Sequence, residues 1–458
     1  MTVFDVAYGA GLCIAAPYWL LVPKARQKVF KALHERVGGE AARTEPNPAI
    51  LIHAVSLGEI NATPAMVRLL SQARPELRFI IATTTETGAA RAQQLYSSNP
   101  NVTLIRYPLD FSSAVRRTLD AQQPSVVVLI ELEVWPNFII ECERRGIPVV
   151  LVNGRLTPGS YRGYHRLRPL TAPMFRRLAG VMAQEQVYAD RFIGLGVPPE
   201  RVKVTGTMKF DTAQVTDRIQ GADEIAASVG LAPVGQKIWV CGSTGPGEEA
   251  ILLDVYQQLL TQFPTLRLVI VPRKPERFDE VAQLISARFG LIRRSKAREA
   301  IACLNGMVAP DGTLLPQVSP TSAPAMVASA DPPPVILGDT MGELRKFYSL
   351  ADVVFVGRTL VDLGSKQHGS DMIEPAALAK PVILGPFTGN FAEVMNCFRK
   401  ADALREVRDA AGLKEAVAEM LTSPAAKEMG RRARQVVRNE QGATARHVEM
   451  ILSHLPKQ

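Results

Sequence analysis

The residues best equipped for chemistry lie in short polar turns that follow apolar runs. The first is His53-Ala-Val-Ser-Leu-Gly-Glu59. Ser56 and Glu59 stand at the S-x-x-E spacing of a capping box at a helix start. The same carboxylate, at the mouth of a cleft, has the chemistry of a general base for a hydroxyl acceptor, and Gly58 lets a substrate approach the backbone. In Thr83-Thr-Thr-Glu-Thr-Gly88, amides at a helix N-terminus attract an anion, or Thr and Glu simply cap the helix. Glu131-Leu-Glu133-Val-Trp-Pro-Asn137 sets two acidic side chains beside Trp135, where an ion pair with Arg or Lys is the ordinary alternative to catalysis. Gly242-Ser-Thr-Gly-Pro-Gly247 lacks the Lys of a P-loop, yet its backbone amides suit a phosphate. Val271-Pro-Arg-Lys274 puts two cations at a strand end. Gly338-Asp-Thr-Met-Gly-Glu343 precedes a helix, and Glu374-Pro375 opens one with Pro at the favoured first position. Together the later turns have the look of a nucleotide-binding domain.

Other chemistries find little support. The 6 histidines show no HExxH spacing, and the 5 cysteines are scattered without a CxxC, so neither a zinc site nor a disulfide framework is implied. A reducing compartment fits that usage. No D-x-D pair appears in these turns, and the expected mechanism needs no metal. Gly9-Ala-Gly-Leu-Cys-Ile-Ala15 matches a dinucleotide fingerprint but follows no strand. The net charge of +9 and pI near 9.4 suit an anionic partner or a solvated basic surface alike.

The elements that must position these turns are strands alternating with helices, the pattern of an α/β protein with parallel sheets. At 458 residues two domains are expected. Strands are read at 49–53, 79–83, 126–130, 148–152 and 202–205 in the first half. In the second they are read at 238–241, 266–271, 335–337, 353–356 and 381–384. Two Rossmann-like doubly wound domains over 24–211 and 236–424 follow, facing a central cleft. A polar linker spans 212–235, and a basic helical segment spans 425–458. Residues 307–334, rich in Pro, Ala and Ser, read as an irregular loop. Residues 1–23 read as a membrane anchor: Val3 to Val22 is apolar apart from Asp5, with Lys24, Arg26, Lys28 and Lys31 directly after it. About 20 apolar residues is the length that spans a bilayer, and the charges place the remainder in the cytoplasm. A buried or surface-lying helix is the other reading.

The motifs HAVSLGE (53–59), ELEVWPN (131–137), TGTMKFD (205–211), GSTGPGEE (242–249), VPRKPERF (271–278), GDTMGEL (338–344) and GPFTGNFAEV (385–394) resemble, in order and spacing, those of the 3-deoxy-D-manno-octulosonic acid (Kdo) transferases. The resemblance covers nearly the whole chain. It implies a GT-B fold and an inverting transfer of Kdo from a CMP-Kdo donor to a phosphorylated lipid A precursor. The implied setting is the cytoplasmic face of the cell inner membrane, against its lipid, with no nucleic acid partner and no cofactor. Glu59 matches the family's proton acceptor, and Glu131 and Lys209 match transition-state stabilisers. Pro272 and Arg273 match one CMP contact, Met341, Gly342 and Glu343 a second, and Asp371, Met372, Ile373 and Glu374 a third, with Glu374 on the ribose. Ser243, Thr244, His368, Asn390 and Glu393 join them as donor-side candidates.

The chain departs from the family at Gly245-Pro246, where a His is usual, and at Gly357-Arg358-Thr359. The stretch from Gly364 to Pro375 is longer than usual and ends in DMIEP; His368 stands in for the usual His. The departures cluster on the donor side, which keeps open another GT-B enzyme with a different nucleotide sugar or lipid acceptor.

Overall fold

Runs of Val, Ile and Leu too short for helices, each bounded by a polar turn, make the framework of the protein. The computed structural model describes residues 2–21, 33–39, 42–43, 47–297, 332–364 and 367–456. The chain forms two compact units, Met1–Thr212 with Glu440–Gln458, and Ala213–Asn439.

The first unit carries strands β1 (Ala49–His53), β2 (Arg78–Thr83), β3 (Val102–Arg106), β4 (Val126–Ile130), β5 (Val149–Gly154), β6 (Gly180–Ala183) and β7 (Val202–Val204). They form a parallel sheet of order β3-β2-β1-β4-β5-β6-β7. β1 and β4 are buried along their whole length, as parallel strands covered on both faces require. One face packs Leu51, Leu129 and Val127 against Phe138 and Phe175. The other packs Ile50, Ile52 and Val128 against Met66, Leu70 and, from the far end of the chain, Val448, Ile451 and Leu455. The helix Ala443–Ser453 thus belongs to the first unit's core.

The second unit carries β8 (Lys237–Thr244), β9 (Leu266–Pro272), β10 (Leu291–Arg293), β11 (Val335–Leu337), β12 (Val353–Val356), β13 (Val382–Leu384) and β14 (Arg405–Glu406). The order is β10-β11-β9-β8-β12-β13-β14, again parallel. Trp239, Cys241, Leu268, Ile270 and Phe355 pack there against Leu252, Tyr256 and Val417. Within the stretch read as a linker, Ala222–Ser228 forms a helix that buries Ala222, Ile225 and Ala226.

The apolar N-terminal stretch is helical over Val3–Leu21, but no helix among the described residues is long and apolar enough to cross a membrane. The spanning form of the expected anchor is therefore not found. Asp5 shows one reason. Its carboxylate accepts hydrogen bonds from the Ser112 N–H and hydroxyl, both at 2.7 Å, and from the Asn137 amide at 3.1 Å. Tyr8 donates to Asp110 at 3.0 Å. The start of the helix is thus bonded to the first unit, while Val3, Val6 and Ile14 stay exposed. The basic run from Lys24 to Lys31 and the loop expected at 307–334, up to residue 331, lie outside the described residues.

Candidate active site

In each sheet a switch point lies between two neighbours, β1 and β4 in the first and β8 and β12 in the second, where β11 also lies inside β10. Loops leaving the carboxyl ends of such a pair depart in opposite directions and open the crevice where α/β sheets bind ligands.

Glu59 and Glu131 flank the first reversal. Ser56 caps the helix Leu57–Ala73 by accepting the Glu59 N–H at 3.2 Å. The Glu59 carboxylate accepts the Val55 N–H at 2.8 Å and the Ser56 N–H at 3.2 Å, so the capping box is present. The carboxylate nonetheless titrates far from its ordinary range. Burial pushes it up to about 7 and the Glu131 charge adds to this, against the hydrogen bonds from Ser56 and Val55. Glu131 has φ +64, a left-handed conformation costing a non-glycine residue on the order of 1–3 kcal/mol and typical of functional turns. At the end of β5, Asn153 also has positive φ and accepts the Met208 N–H at 3.1 Å. That bond fixes the 3-10 turn Met208–Thr212, which carries Lys209 and packs on the Glu59 helix.

Under this group lies a buried histidine that motif reading did not single out as functional. The His53 Nδ1 bonds to the Ala82 carbonyl at 3.0 Å, and its ring stacks on Tyr107 with centroids 3.6 Å apart. Burial drives its pKa down to about 3. With Nδ1–H donating to the carbonyl, Nε2 is left as an acceptor 3.9 Å from Glu133. Glu133 accepts the Trp135 indole N–H at 3.0 Å rather than an Arg or Lys among the described residues.

At the second reversal the loops meet backbone to backbone. A Cβ on Gly357 would lie 2.5 Å from the Thr244 Cα, and Ser243 and Arg358 both have positive φ. The Gly-rich turn is expected to offer amides to a phosphate; one of them, the Gly245 N–H, goes to Glu248. Its carboxylate accepts N–H groups from Gly245 at 2.8 Å, Arg358 at 2.6 Å, and Thr359 and Leu360 at 2.9 Å each. Thr244 likewise turns inward, donating its hydroxyl to Glu249 at 2.8 Å. Arg277 holds Glu249 through two bonds of 2.7 and 3.1 Å.

The remaining candidates sit on neighbouring strand ends. Pro272 closes β9, and the exposed Arg273 follows, its N–H on the Thr244 carbonyl at 3.0 Å. After β11, Met341 is 66% exposed and Gly342 has φ +81 with open space around it. Arg294 clasps Glu343 at 3.0 and 3.1 Å, and Thr340 also donates to it. Burial opposes ionisation of Glu343, but these partners outweigh it and hold its pKa below the ordinary value.

Asp371 accepts the Ile373 N–H at 2.8 Å. The Met372 and Ile373 side chains are fully buried, so only their backbone can face a ligand. Pro375 is the third residue of the helix Ile373–Ala377, not the first. Burial and the Asp371 charge push Glu374 up to about 7, against Arg345 and Arg273. Tyr348 lies fully buried in the field of Glu374, Asp371 and Arg273. A Cβ on Gly242 would fall 2.2 Å from the phenol oxygen, which is why glycine stands there. Arg345 and Tyr348 complete this charged cluster and were not read from sequence. His368 bonds Asp362 at 2.8 Å, and its carbonyl accepts the Asn390 N–H at 3.4 Å. Glu393 is buried in the first turn of the helix Ala392–Lys400.

The chain is similar to known proteins over nearly its whole length. Residues 31–212 match the family model described as 3-deoxy-D-manno-octulosonic-acid transferase (kdotransferase). A 3-deoxy-D-manno-octulosonic acid transferase of Haemophilus influenzae is 31% identical over 450 residues, 97% of this chain and 96% of that protein. One of Bordetella pertussis is 29% identical over 428 residues, 90% of each. A solved glycosyltransferase of Rickettsia africae, 12% identical, superposes with a TM-score of 0.55 over 90% of this chain and 100% of its own, a likeness of fold.

Proposed function

The chain belongs to the Kdo transferase family of glycosyltransferases, and from that premise we propose that it moves Kdo from CMP-Kdo to a hydroxyl of a lipid A precursor, with inversion at the anomeric carbon. The proposal assigns a GT-B fold, with the acceptor on the first unit and the donor on the second. Glu59 takes the acceptor's hydroxyl proton as the oxygen bonds to the anomeric carbon. The bond from that carbon to the CMP phosphate breaks, and its electron pair leaves with CMP. Lys209 and Arg273 balance the negative charge of the sugar acid and the departing phosphate, and Arg273 and Glu374 bind the nucleotide.

The observation that carries this reading is Glu59 itself: a half-buried carboxylate at the point of strand reversal, with its pKa raised to about 7. That is the value at which a general base works best near neutral pH. We place the enzyme at the cytoplasmic face of the inner membrane, a reading supported by the exposed apolar side chains of the N-terminal helix and the cations that follow it in sequence. The test is CMP release from CMP-Kdo in the presence of a lipid A precursor, with Glu59→Gln alongside. Transfer by the wild type and its collapse in the variant are expected; wild-type protein that releases no CMP would end the proposal. A different nucleotide-sugar donor is the alternative, favoured by the occupation of the 245–360 amides by Glu248. Saturable binding of a UDP-sugar, with none of CMP, would select it.

A further inference from the structure

The loop from Glu131 to Pro136 has two sides. The Glu131 charge acts on the Glu59 carboxylate. Trp135 instead lines two hollows on the flank of the first unit, and Glu133 lines one of them. One, of about 260 Å³, is walled by Phe4, Tyr8, Leu132, Tyr164, Leu170 and Met174 along with that loop. The other, of about 350 Å³, runs along the N-terminal helix, where Gly11 and Leu12 face Leu109 and Phe111. Both share Tyr8 and Trp135, so Trp135, 42% exposed, stands between them. Three features belong to a ligand rather than to a fold. Gly11 has nothing within 4 Å of the position a Cβ would take. Leu12 and Leu170, each lining one of the hollows, are left 39% and 55% exposed. Arg162, Arg166 and Arg168, on and just beyond the helix Pro158–Arg166, are also exposed.

We propose that the two hollows hold an acyl chain of the acceptor lipid, drawn in beside Trp135, with the neighbouring arginines on its phosphate. This inference rests on the lipid acceptor proposed above. Continuity argues for the acceptor's chain over that of a bulk phospholipid: the loop that lines the hollows also carries Glu131. Charge agrees, because cations alongside an apolar trough complement an anionic headgroup joined to a hydrocarbon chain.

Gly11→Phe tests it. The new ring enters the empty hollow from a helical position where glycine is the weaker helix former, so the fold is expected to hold. With an acylated acceptor, kcat/KM should fall about tenfold, the weight of two buried methylenes. With a fully deacylated, water-soluble acceptor it should not change. Equal losses on both acceptors, or none on either, would overturn the inference. Binding is read independently by quenching of Trp135 with an acceptor carrying brominated chains, in a Trp19→Phe background. Strong quenching that Gly11→Phe abolishes is expected. Quenching without transfer would cost the enzyme reading and leave the site; transfer without quenching would do the reverse. If Gly11→Phe instead weakens flotation with phospholipid vesicles and spares the acylated acceptor, the hollow serves bilayer lipid and the inference falls. If it raises Tm without altering either kinetic constant, the trough belongs to a segment of this chain and the inference likewise falls.

Discussion

At the reversal between β1 and β4 the chain sets two carboxylates, Glu59 and Glu131, in each other's field. At the reversal between β8 and β12 it turns one carboxylate, Glu248, onto its own backbone. Both lie at a switch point of a parallel sheet, and the use is opposite. In the first crevice the Glu59 carboxylate accepts two backbone N–H groups, and burial raises its pKa as it raises that of Glu248. In the second, four amides close around a fully buried carboxylate, a geometry in which an internal group occupies the place of a bound anion. The candidate donor-side charges of the second unit stand after β9 (Arg273), after β11 (Glu343 and Arg345) and after β12 (Glu374). Equivalent positions in two similar sheets are therefore not equivalent sites.

Glutamine substitutions break this comparison most directly. Glu59→Gln should cost about 10²–10⁴-fold in kcat with little change in far-ultraviolet circular dichroism. Glu248→Gln should act on the fold: its amide would face two N–H donors, destabilising the protein by about 2–4 kcal/mol in urea unfolding. Should Glu248→Gln prove as stable as the wild type and merely inactive, the second crevice would be a site after all.

Smaller effects sharpen the contrast. Arg273→Ala should weaken CMP binding about tenfold by calorimetry, with unfolding unchanged; equal affinities would remove Arg273 from the nucleotide. The pH profile carries the smallest and most specific signal. The base must be ionised, so kcat/KM should rise with pH, roughly tenfold per unit, and level off near pH 7 where Glu59 loses its proton. Removing the neighbouring charge with Glu131→Gln favours ionisation of Glu59, so the break should move to lower pH. A break that stays in place would mean that burial alone sets it.

Much of the framework was legible because it is apolar and local. β1, β4, β11 and β12 fall where their Val, Ile and Leu runs begin and end. β3, whose Val-Thr-Leu-Ile-Arg is fully buried only at its last two residues, and the short β6 gave weaker patterns. β10 and β14 are sheet edges with charged residues and no apolar run. The Glu59 turn was visible as S-x-x-E spacing because a capping box is a local device. Glu248 was not, because three of the amides it holds belong to residues 358–360, far along the chain. Tyr348 and Arg345 were hidden for the same reason: they join Glu374 only when β11, β9, β8 and β12 lie side by side. The N-terminal stretch shows the limit of composition, which reported its apolarity but not the inward bonds of Asp5 and Tyr8.

The helix Ala443–Ser453 gives the protein a schedule. Val448, Ile451 and Leu455 cover a face of the first sheet, yet they are synthesised only after every residue of the second unit. Until then the nascent first unit must wait with Ile50, Ile52 and Val128 incompletely covered, the kind of exposed apolar surface that chaperones recognise. Truncations and fusions near residue 443 would thus be felt first in the half of the molecule made earliest.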